Sequence, residues 1–334
     1  NSDSEAVFYQ GCYANQVEKI RDELPKVKVW IQLEDSTPLL EGSHAYSDVV
    51  QNTAPMPRIE RNEGNIYMLY TGGTTGMPKG VMYTHGGFVN SMLKTLKGMG
   101  VDVPDELADI KDTILSLHEN GELAKSFVAC PLMHGTGMWL GGFLSHLLGG
   151  CVVTTPNLGL DTKLLWEEVE RVGITNIIIV GDSFAKPMVK ELDRAVSENK
   201  PYNLETLKLI YSSGVMFSAD VKASLLEHHD MVLMDAMGSS EGGMGSSVTT
   251  REDGAATAKF RLNPGVVVVS DDGEEVLPGS GVRGLIGTSG LVPEGYYKDK
   301  EKSDATFKEF NGTRYSFPGD YALVEADGTI TLLG

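Results

Sequence analysis

The chain has 334 residues, 41% hydrophobic and 22% charged, which suits one large soluble globular domain, or one and a fraction. Its 28 basic residues against 46 acidic ones give a formal net charge of −18, which opposes general attraction to nucleic-acid phosphate or anionic lipid. No nucleic-acid partner is expected, and any phosphate recognition has to be local.

Amphipathic helices are predicted at Asn15 to Glu23, Gly86 to Gly98, Leu160 to Val172, Phe184 to Glu198 and Ala219 to His228. Between them lie short β-rich runs at Lys28 to Ile31, Ile66 to Tyr70, Ser126 to Cys130, Asn176 to Val180 and Leu207 to Tyr211. This alternation predicts an α/β fold of layers with mostly parallel strands. The apolar stretch from Gly137 to Val153 contains Ser145, His146 and several glycines, so it reads as buried core and not as an integral membrane segment. Nothing near Asn1 looks like a signal peptide.

After about Arg261 the texture changes. Short strands at Val266 to Val269, Leu285 to Thr288 and Tyr321 to Val324 are separated by turn-formers, which predicts an α/β core over 1–260 and a small β subdomain over 261–334. The acidic cluster Asp271 to Glu275 reads as a solvated turn. The last residues, Ile330 to Gly334, read as the second strand of a hairpin around Ala326-Asp327-Gly328, so the sequence is expected to be a fragment. Cys12, Cys130 and Cys151 are widely spaced and form no CxxC pair, arguing against a disulfide framework or zinc site and for a cytoplasmic setting. His85, His228 and His229 lack metal-ligand spacing.

The segment with the clearest chemistry is Tyr70-Thr71-Gly72-Gly73-Thr74-Thr75-Gly76-Met77-Pro78-Lys79-Gly80, at the end of a predicted strand. Glycines allow close backbone approach, threonines add hydroxyl donors and lysine adds charge, a combination suited to a polyphosphate. A Walker loop would need Gly-Lys followed by Ser or Thr; here Lys79 lies between Pro78 and Gly80, and the dinucleotide fingerprint GxGxxG is also absent.

Tyr70 to Gly80, continued by Val81-Met82-Tyr83-Thr84-His85, resembles the signature of the adenylate-forming, AMP-binding enzymes. Further segments resemble family motifs in the expected order: Pro131-Leu132-Met133-His134-Gly135, Ser212-Ser213-Gly214, Met237-Gly238-Ser239-Ser240-Glu241, Gly295-Tyr296-Tyr297-Lys298-Asp299 and Tyr315-Ser316-Phe317-Pro318-Gly319-Asp320. The resemblance covers nearly all of the chain. It implies the layered large N-terminal domain of the adenylate-forming fold with a small β-barrel-like subdomain. The activity it implies is attack of a substrate carboxylate on the α-phosphorus of ATP, followed by transfer of the acyl group to coenzyme A. The Ser239-Ser240 form of its motif points to fatty-acid and steroid side-chain CoA ligases.

Under that resemblance, Thr71, Gly72, Gly73, Thr74, Thr75 and Gly76 hold the β- and γ-phosphates and Lys79 adds charge. Ser240 donates to the α-phosphate and Glu241 holds Mg²⁺. Asp320 accepts from the ribose hydroxyls, whereas the residues alone would leave it a turn aspartate, and Glu241 a solvated loop carboxylate. Adenine recognition falls on Gly214, Val215, Met216, Asp235, Ala236 and Met237, with Met237 standing where an aromatic ring commonly stacks, and Gly238 and Ser239 are further cofactor-binding residues. His134 by itself reads as a buried histidine bonded to backbone; the resemblance sets it beside the acyl carboxylate. Met133, Met138, Trp139 and Phe143 read either as plain core or as the wall of an acyl pocket.

The family's Gly-Glu segment reads Arg283-Gly284-Leu285-Ile286-Gly287 and lacks the glutamate. The resemblance also implies a mobile domain after Gly334 carrying an adenylation lysine, so residues 1–334 alone are expected to be weak or inactive. Expected partners are a small hydrophobic carboxylic acid, ATP and CoA, with room for a homodimer. The alternatives are an amino-acid or aryl-acid adenylating domain that loads a carrier protein, for which Asp235 keeps the option open, and a non-catalytic nucleotide-binding relative.

Overall fold

The computed structural model describes residues 2–72, 77–157, 159–252 and 259–333. The chain divides into two compact units, Asn1–Arg61 and Asn62–Gly334. In the first, β1 (Ala6–Gln10), α1 (Ala14–Ile20), β2 (Val29–Leu33), β3 (His44–Ala45) and α2 (Tyr46–Asn52) follow in order. The strands pair in parallel as β1-β2-β3, and Tyr9, Ala14, Val17 and Trp30 form the core. The helix expected over 15–23 is α1 followed by a 3₁₀ turn at Arg21–Glu23.

The second unit opens with a hairpin that the sequence did not announce. β4 (Ile66–Thr71) and β5 (Lys79–Thr84) are antiparallel with Thr71 opposite Lys79, so the glycine-rich segment is their connection. Gly73, Thr74, Thr75 and Gly76 lie outside the described residues. Then come α3 (His85–Gly98), α4 (Ile110–Glu119), β6 (Lys125–Val128), a π-helix at Thr136–Phe143 and α5 (Leu144–Leu147). β7 (Cys151–Val153), α6 (Thr162–Glu168), β8 (Asn176–Ile179), α7 (Gly181–Ser197), β9 (Leu209–Ser213), α8 (Ala219–His228) and β10 (Val232–Ser239) complete the α/β part.

Strands β7-β6-β8-β9-β10 are parallel throughout, as the alternation predicted. Both faces of this sheet are covered, which is why its strands read as continuous apolar runs. Ile177 and Ile179 join Leu165, Trp166, Met188 and Leu225 on one side, whereas Ile178 packs with Val128, Cys130 and Tyr211 on the other. Trp166 is fully buried, and its Nε1 donates to the Met188 carbonyl at 3.1 Å, so the indole brings no unsatisfied donor into the core. The start of α6 is fixed by Asp161, whose Oδ1 accepts from Leu164 N at 3.0 Å. Asp161→Ala is expected to lower stability by about 1 kcal/mol in urea denaturation, with an unchanged m-value.

Past β10 the pairing becomes antiparallel. β11 (Gly242–Thr249), β12 (Phe260–Leu262), β13 (Val266–Val269), β14 (Arg283–Thr288), β15 (Gly295–Tyr296), α9 (Lys300–Thr306), β16 (Phe307–Phe310), β17 (Thr313–Ser316), β18 (Tyr321–Val324) and β19 (Thr329–Leu332) follow. The ladder runs on from β10 as β11-β12-β19-β18-β14-β17-β16, with β13 on β14. The pairing mode thus changes between Ser239 and Gly242, and the antiparallel ladder runs on through Arg261 without a break. The expected hairpin around Asp327 is β18-β19. β15 leaves this ladder and pairs with β5, making a separate sheet β15-β5-β4. Among the described residues no helix is long and apolar enough to cross a membrane.

Candidate nucleotide site

The C-terminal ends of parallel strands leave backbone groups unpaired, and open α/β sheets offer ligands a crevice there. At this edge β9 and β10 run side by side, with Ser213 opposite Ala236, so the segments 214–216 and 235–238 are neighbours. The loop after β8 closes against them. Gly181 N donates to Ser212 Oγ at 3.0 Å, Asp182 N to the Met216 carbonyl at 2.9 Å, and Ser218 N to Asp182 Oδ1 at 2.9 Å. Gly181 has φ +53°, and a Cβ there would come within 2.4 Å of the Met216 carbonyl oxygen, so this close approach requires glycine. Val215 and Met216 are left more than half exposed, at 53% and 59%.

His134 follows β6 at the same edge. Its loop reaches the site, since a Cβ on Gly214 would lie 4.0 Å from Thr136 Oγ1. The ring is exposed, and its Nδ1 accepts from Thr136 N at 3.4 Å, so the buried-histidine reading does not hold. Met133 is 82% exposed and Met138 half-buried. Trp139 behaves differently: it packs edge-on against Tyr83 and Phe88, and its Nε1 donates to Tyr67 Oη at 3.1 Å. The π-helix carrying Met138 and Trp139 places Gly141 against Val128, a close approach that a larger side chain would block.

The turn from β10 to β11 presents Ser239, Ser240 and Glu241, with Glu241 N donating to Ser239 Oγ at 3.1 Å. Glu241 is only 9% exposed. Two phenols from the sheet β15-β5-β4 meet this turn: Tyr83 Oη donates to the Ser240 carbonyl at 2.6 Å, and Tyr296 Oη donates to Glu241 Oε1 at 2.7 Å. Burial, with the Glu241 charge added to it, pushes the Tyr83 and Tyr296 phenols well above their usual range, so both remain donors. The half-buried Lys79 places Nζ 5.1 Å from the centroid of the Tyr296 ring. Asp320 immediately precedes β18, its carbonyl accepting from Ile286 N at 2.9 Å. Its carboxyl is raised, first by burial and then by the negative charge of Glu241, so the two carboxylates lie in electrostatic reach of each other.

Thus the described residues gather Lys79, His134, Gly214, Val215, Met216, Ser240, Glu241 and Asp320 around one edge. Thr71 and Gly72 lead towards it from β4, while Gly73 to Gly76 lie outside the described residues. Among the described residues no group of three or more His, Cys, Asp or Glu is disposed to hold a metal. A lone buried carboxylate with a second one in electrostatic reach still fits Mg²⁺, which keeps several waters and shares phosphate oxygens with one or two carboxylates.

Two side chains assigned to adenine point elsewhere. Asp235 is buried with Oδ2 3.5 Å from Nζ of Lys222 on α8, on the helix side of the sheet. Burial pushes its carboxyl up to about 6, against the lowering effect of Lys222. Turned to the helix layer, Asp235 is not at a pocket entrance, which removes the feature that kept an amino-acid substrate open. Met237 packs with Met244, Phe260 and Ile286, so a backbone contact is what remains available from that residue. Tyr83, Lys222 and Tyr296 were assigned no role from the sequence; Tyr83 and Tyr296 each stood inside a quoted motif, and Tyr83 shares a buried strand face with Val81.

Comparison with known proteins gives a consistent picture. The protein family described as AMP-binding enzyme matches residues 1–297. A "Medium/long-chain-fatty-acid--CoA/3-oxocholest-4-en-26-oate--CoA ligase" of Mycolicibacterium smegmatis is 35% identical over 349 residues, covering 100% of this chain and 61% of that protein. A "3-oxocholest-4-en-26-oate--CoA ligase" of Rhodococcus rhodochrous is 36% identical over 350 residues, covering 100% of this chain and 60% of that protein. The chain thus spans about three fifths of the length of these relatives. Among solved structures, the anthranilate CoA ligase AuaEII with anthranoyl-AMP superposes with TM-score 0.75 at 18% identity, over 99% of this chain and 59% of the other. ATP-bound MatB from Rhodopseudomonas palustris gives 0.73 at 17%, over 100% and 59%.

Proposed function

The chain belongs to the AMP-binding enzyme family, and from that premise we propose that it is part of an ATP-dependent acyl-CoA synthetase acting on a hydrophobic carboxylic acid. The observation that carries this reading is the meeting of Ser240, Glu241, Lys79 and Asp320 with the chain after β9 at the carboxyl ends of the parallel strands. The names of the relatives at 35% and 36% identity support a medium- or long-chain fatty acid, or a steroid side-chain acid.

In this reading Asp320 accepts from the ribose hydroxyls, and the backbone of 214–216 and 236–238 borders the adenine. Thr71, Gly72 and Lys79 act with Gly73, Thr74, Thr75 and Gly76 on the β- and γ-phosphates, and Ser240 donates to the α-phosphate. Glu241 would hold Mg²⁺, which when bound neutralises charge on the phosphates. His134 orients the acid beside Met133 and Met138, so that a carboxylate oxygen forms a bond to the α-phosphorus as its bond to the bridging oxygen breaks and pyrophosphate leaves. The sulfur of CoA then attacks the acyl carbon and AMP departs. The chain contributes positioning and charge, and no side-chain nucleophile is called for. The division at 260/261, and a cytoplasmic setting consistent with the free thiols of Cys12, Cys130 and Cys151, belong to the same proposal.

ATP–pyrophosphate exchange by the whole protein, run with fatty, steroid, aryl and amino acids, tests it. Exchange is expected with the hydrophobic acids, followed by CoA-dependent release of AMP. Exchange confined to amino acids, or none with any acid despite ATP binding, would overturn it.

A further inference from the structure

The hydrogen bond between Tyr296 and the Glu241 carboxylate has no part in the proposed reaction. Glu241 sits at the turn between β10 and β11, in the large sheet, whereas Tyr296 and Lys79 lie on β15 and β5, in a separate three-stranded sheet. The phenol of Tyr296 crosses from one sheet to the other to donate to Glu241 Oε1 at 2.7 Å, in a buried setting. The ring itself is fixed from several sides. Its backbone pairs with Val81, its N–H donates to Ser303 Oγ at 2.8 Å, and its ring packs on Phe307 with centroids 5.1 Å apart. Tyr296 is 4% exposed. The Lys79 ammonium stands 5.1 Å from its centroid.

A carboxylate that accepts a buried phenol hydrogen bond has one oxygen oriented and its rotamer fixed, which is how outer partners orient groups that bind metals. The ring that does this also bears on the lysine at the end of the glycine-rich connection. The opposite side of the turn is equally constrained: a Cβ on Gly242 would fall 2.3 Å from Thr288 Oγ1, so the backbone just after Glu241 has no room to swing that way.

We propose that Tyr296 is a positioning residue, tying the Glu241 carboxylate to the β4-β5 hairpin so that the metal and the phosphates of ATP are bound as one unit. This rests on the reading of Glu241 as the carboxylate for Mg²⁺. On this account, removing the phenol oxygen weakens binding of metal-complexed ATP while leaving binding of metal-free ATP in place, because only the former needs the oriented carboxylate.

The test compares parent, Tyr296→Phe, Tyr83→Phe and Glu241→Gln in the whole protein. Calorimetry measures ATP binding with excess Mn²⁺ and with a chelator, and electron paramagnetic resonance follows free Mn²⁺. Tyr296→Phe keeps the ring, its packing and the contact with Lys79. It is expected to weaken Mn²⁺·ATP binding by about ten-fold, the scale of one hydrogen bond to a charged group, while metal-free ATP shifts by less than about two-fold. Tyr83→Phe, which removes a bond to a backbone carbonyl and not to the carboxylate, is expected to leave the ratio of the two affinities near that of the parent. Equal weakening with and without metal in Tyr296→Phe would mean a merely structural role and overturn the proposal. So would the same change of ratio in Tyr83→Phe. If Glu241→Gln loses the metal dependence and Tyr296→Phe keeps it, the positioning role falls and the Glu241 reading stands. If neither variant changes it, the Glu241 reading falls as well.

Discussion

Glu241→Gln is expected to lower ATP–pyrophosphate exchange by the whole protein by about 10²–10³-fold, the usual effect of removing one preorganised electrostatic group from a reacting centre. Glutamine keeps the shape and the acceptor for Tyr296 but loses the charge that a hard dication needs. Glu241 is 9% exposed and already oriented by a buried phenol, so the variant removes a carboxylate that is fixed in place. Its negative charge also helps to raise the Asp320 carboxyl, so the variant is expected to let Asp320 ionise at lower pH, and ATP binding without metal should then extend further into acid. Exchange retained within about three-fold would remove Glu241 from the metal role.

Lys222→Ala is expected to destabilise the protein by about 3–5 kcal/mol at neutral pH, since it takes away the cation beside a buried carboxylate. Lys222 and Asp235 have side chains only 1% and 4% exposed, between α8 and β10, and the ammonium also stands 5.1 Å from the Phe217 centroid. Burial outweighs the pairing, since the Asp235 carboxyl is pushed up to about 6 from 3.8 even with Lys222 present. The sign of the pH dependence follows. Between those two values the folded protein holds a proton that the unfolded chain has released, so this group's contribution to stability is full below about pH 4 and is lost as pH rises through about 6.

Without Lys222 the carboxyl rises further, and the deficit of Lys222→Ala should therefore shrink on acidification towards pH about 5. Urea denaturation at the two pH values measures this. A double variant, Lys222→Met with Asp235→Leu, should recover most of the loss, because an apolar pair of similar volume carries no desolvation cost. A deficit below about 1 kcal/mol for Lys222→Ala, or one that grows in acid, would show that the pair contributes little to the fold.

Much of the architecture was legible because local patterning and tertiary placement agreed. Asn176 to Val180 reads as a short β-rich run and holds β8 at Asn176–Ile179, and α7 and α8 occupy the predicted amphipathic spans. Two of the strands missed from the sequence share a cause. β5 opens on Lys79-Gly80 just after Pro78, and β11 is Gly-Gly-Met-Gly-Ser-Ser-Val-Thr, and neither the opening of the one nor the run of the other has intrinsic strand character. Each is held extended by ladder partners remote in sequence, β4 and β15 for one, β10 and β12 for the other. The change of pairing mode comes at β10 and β11, before the texture change near residue 260, and the ladder runs on through that point.

Which segments alternate, where a glycine-rich connection lies, and which ordered motifs mark an AMP-binding enzyme were all legible in the sequence, because these depend on local residue types and their order along the chain. Only the tertiary structure decided which way each side chain faces. It turned Asp235 inward onto Lys222, exposed His134, packed Trp139 edge-on against Tyr83, and carried Tyr296 from β15 across to Glu241. Those outcomes depend on strand register and on pairing between segments far apart in the chain. A shift of one residue in register would reverse every one of a strand's side chains, and no local pattern fixes which distant strand supplies the partner.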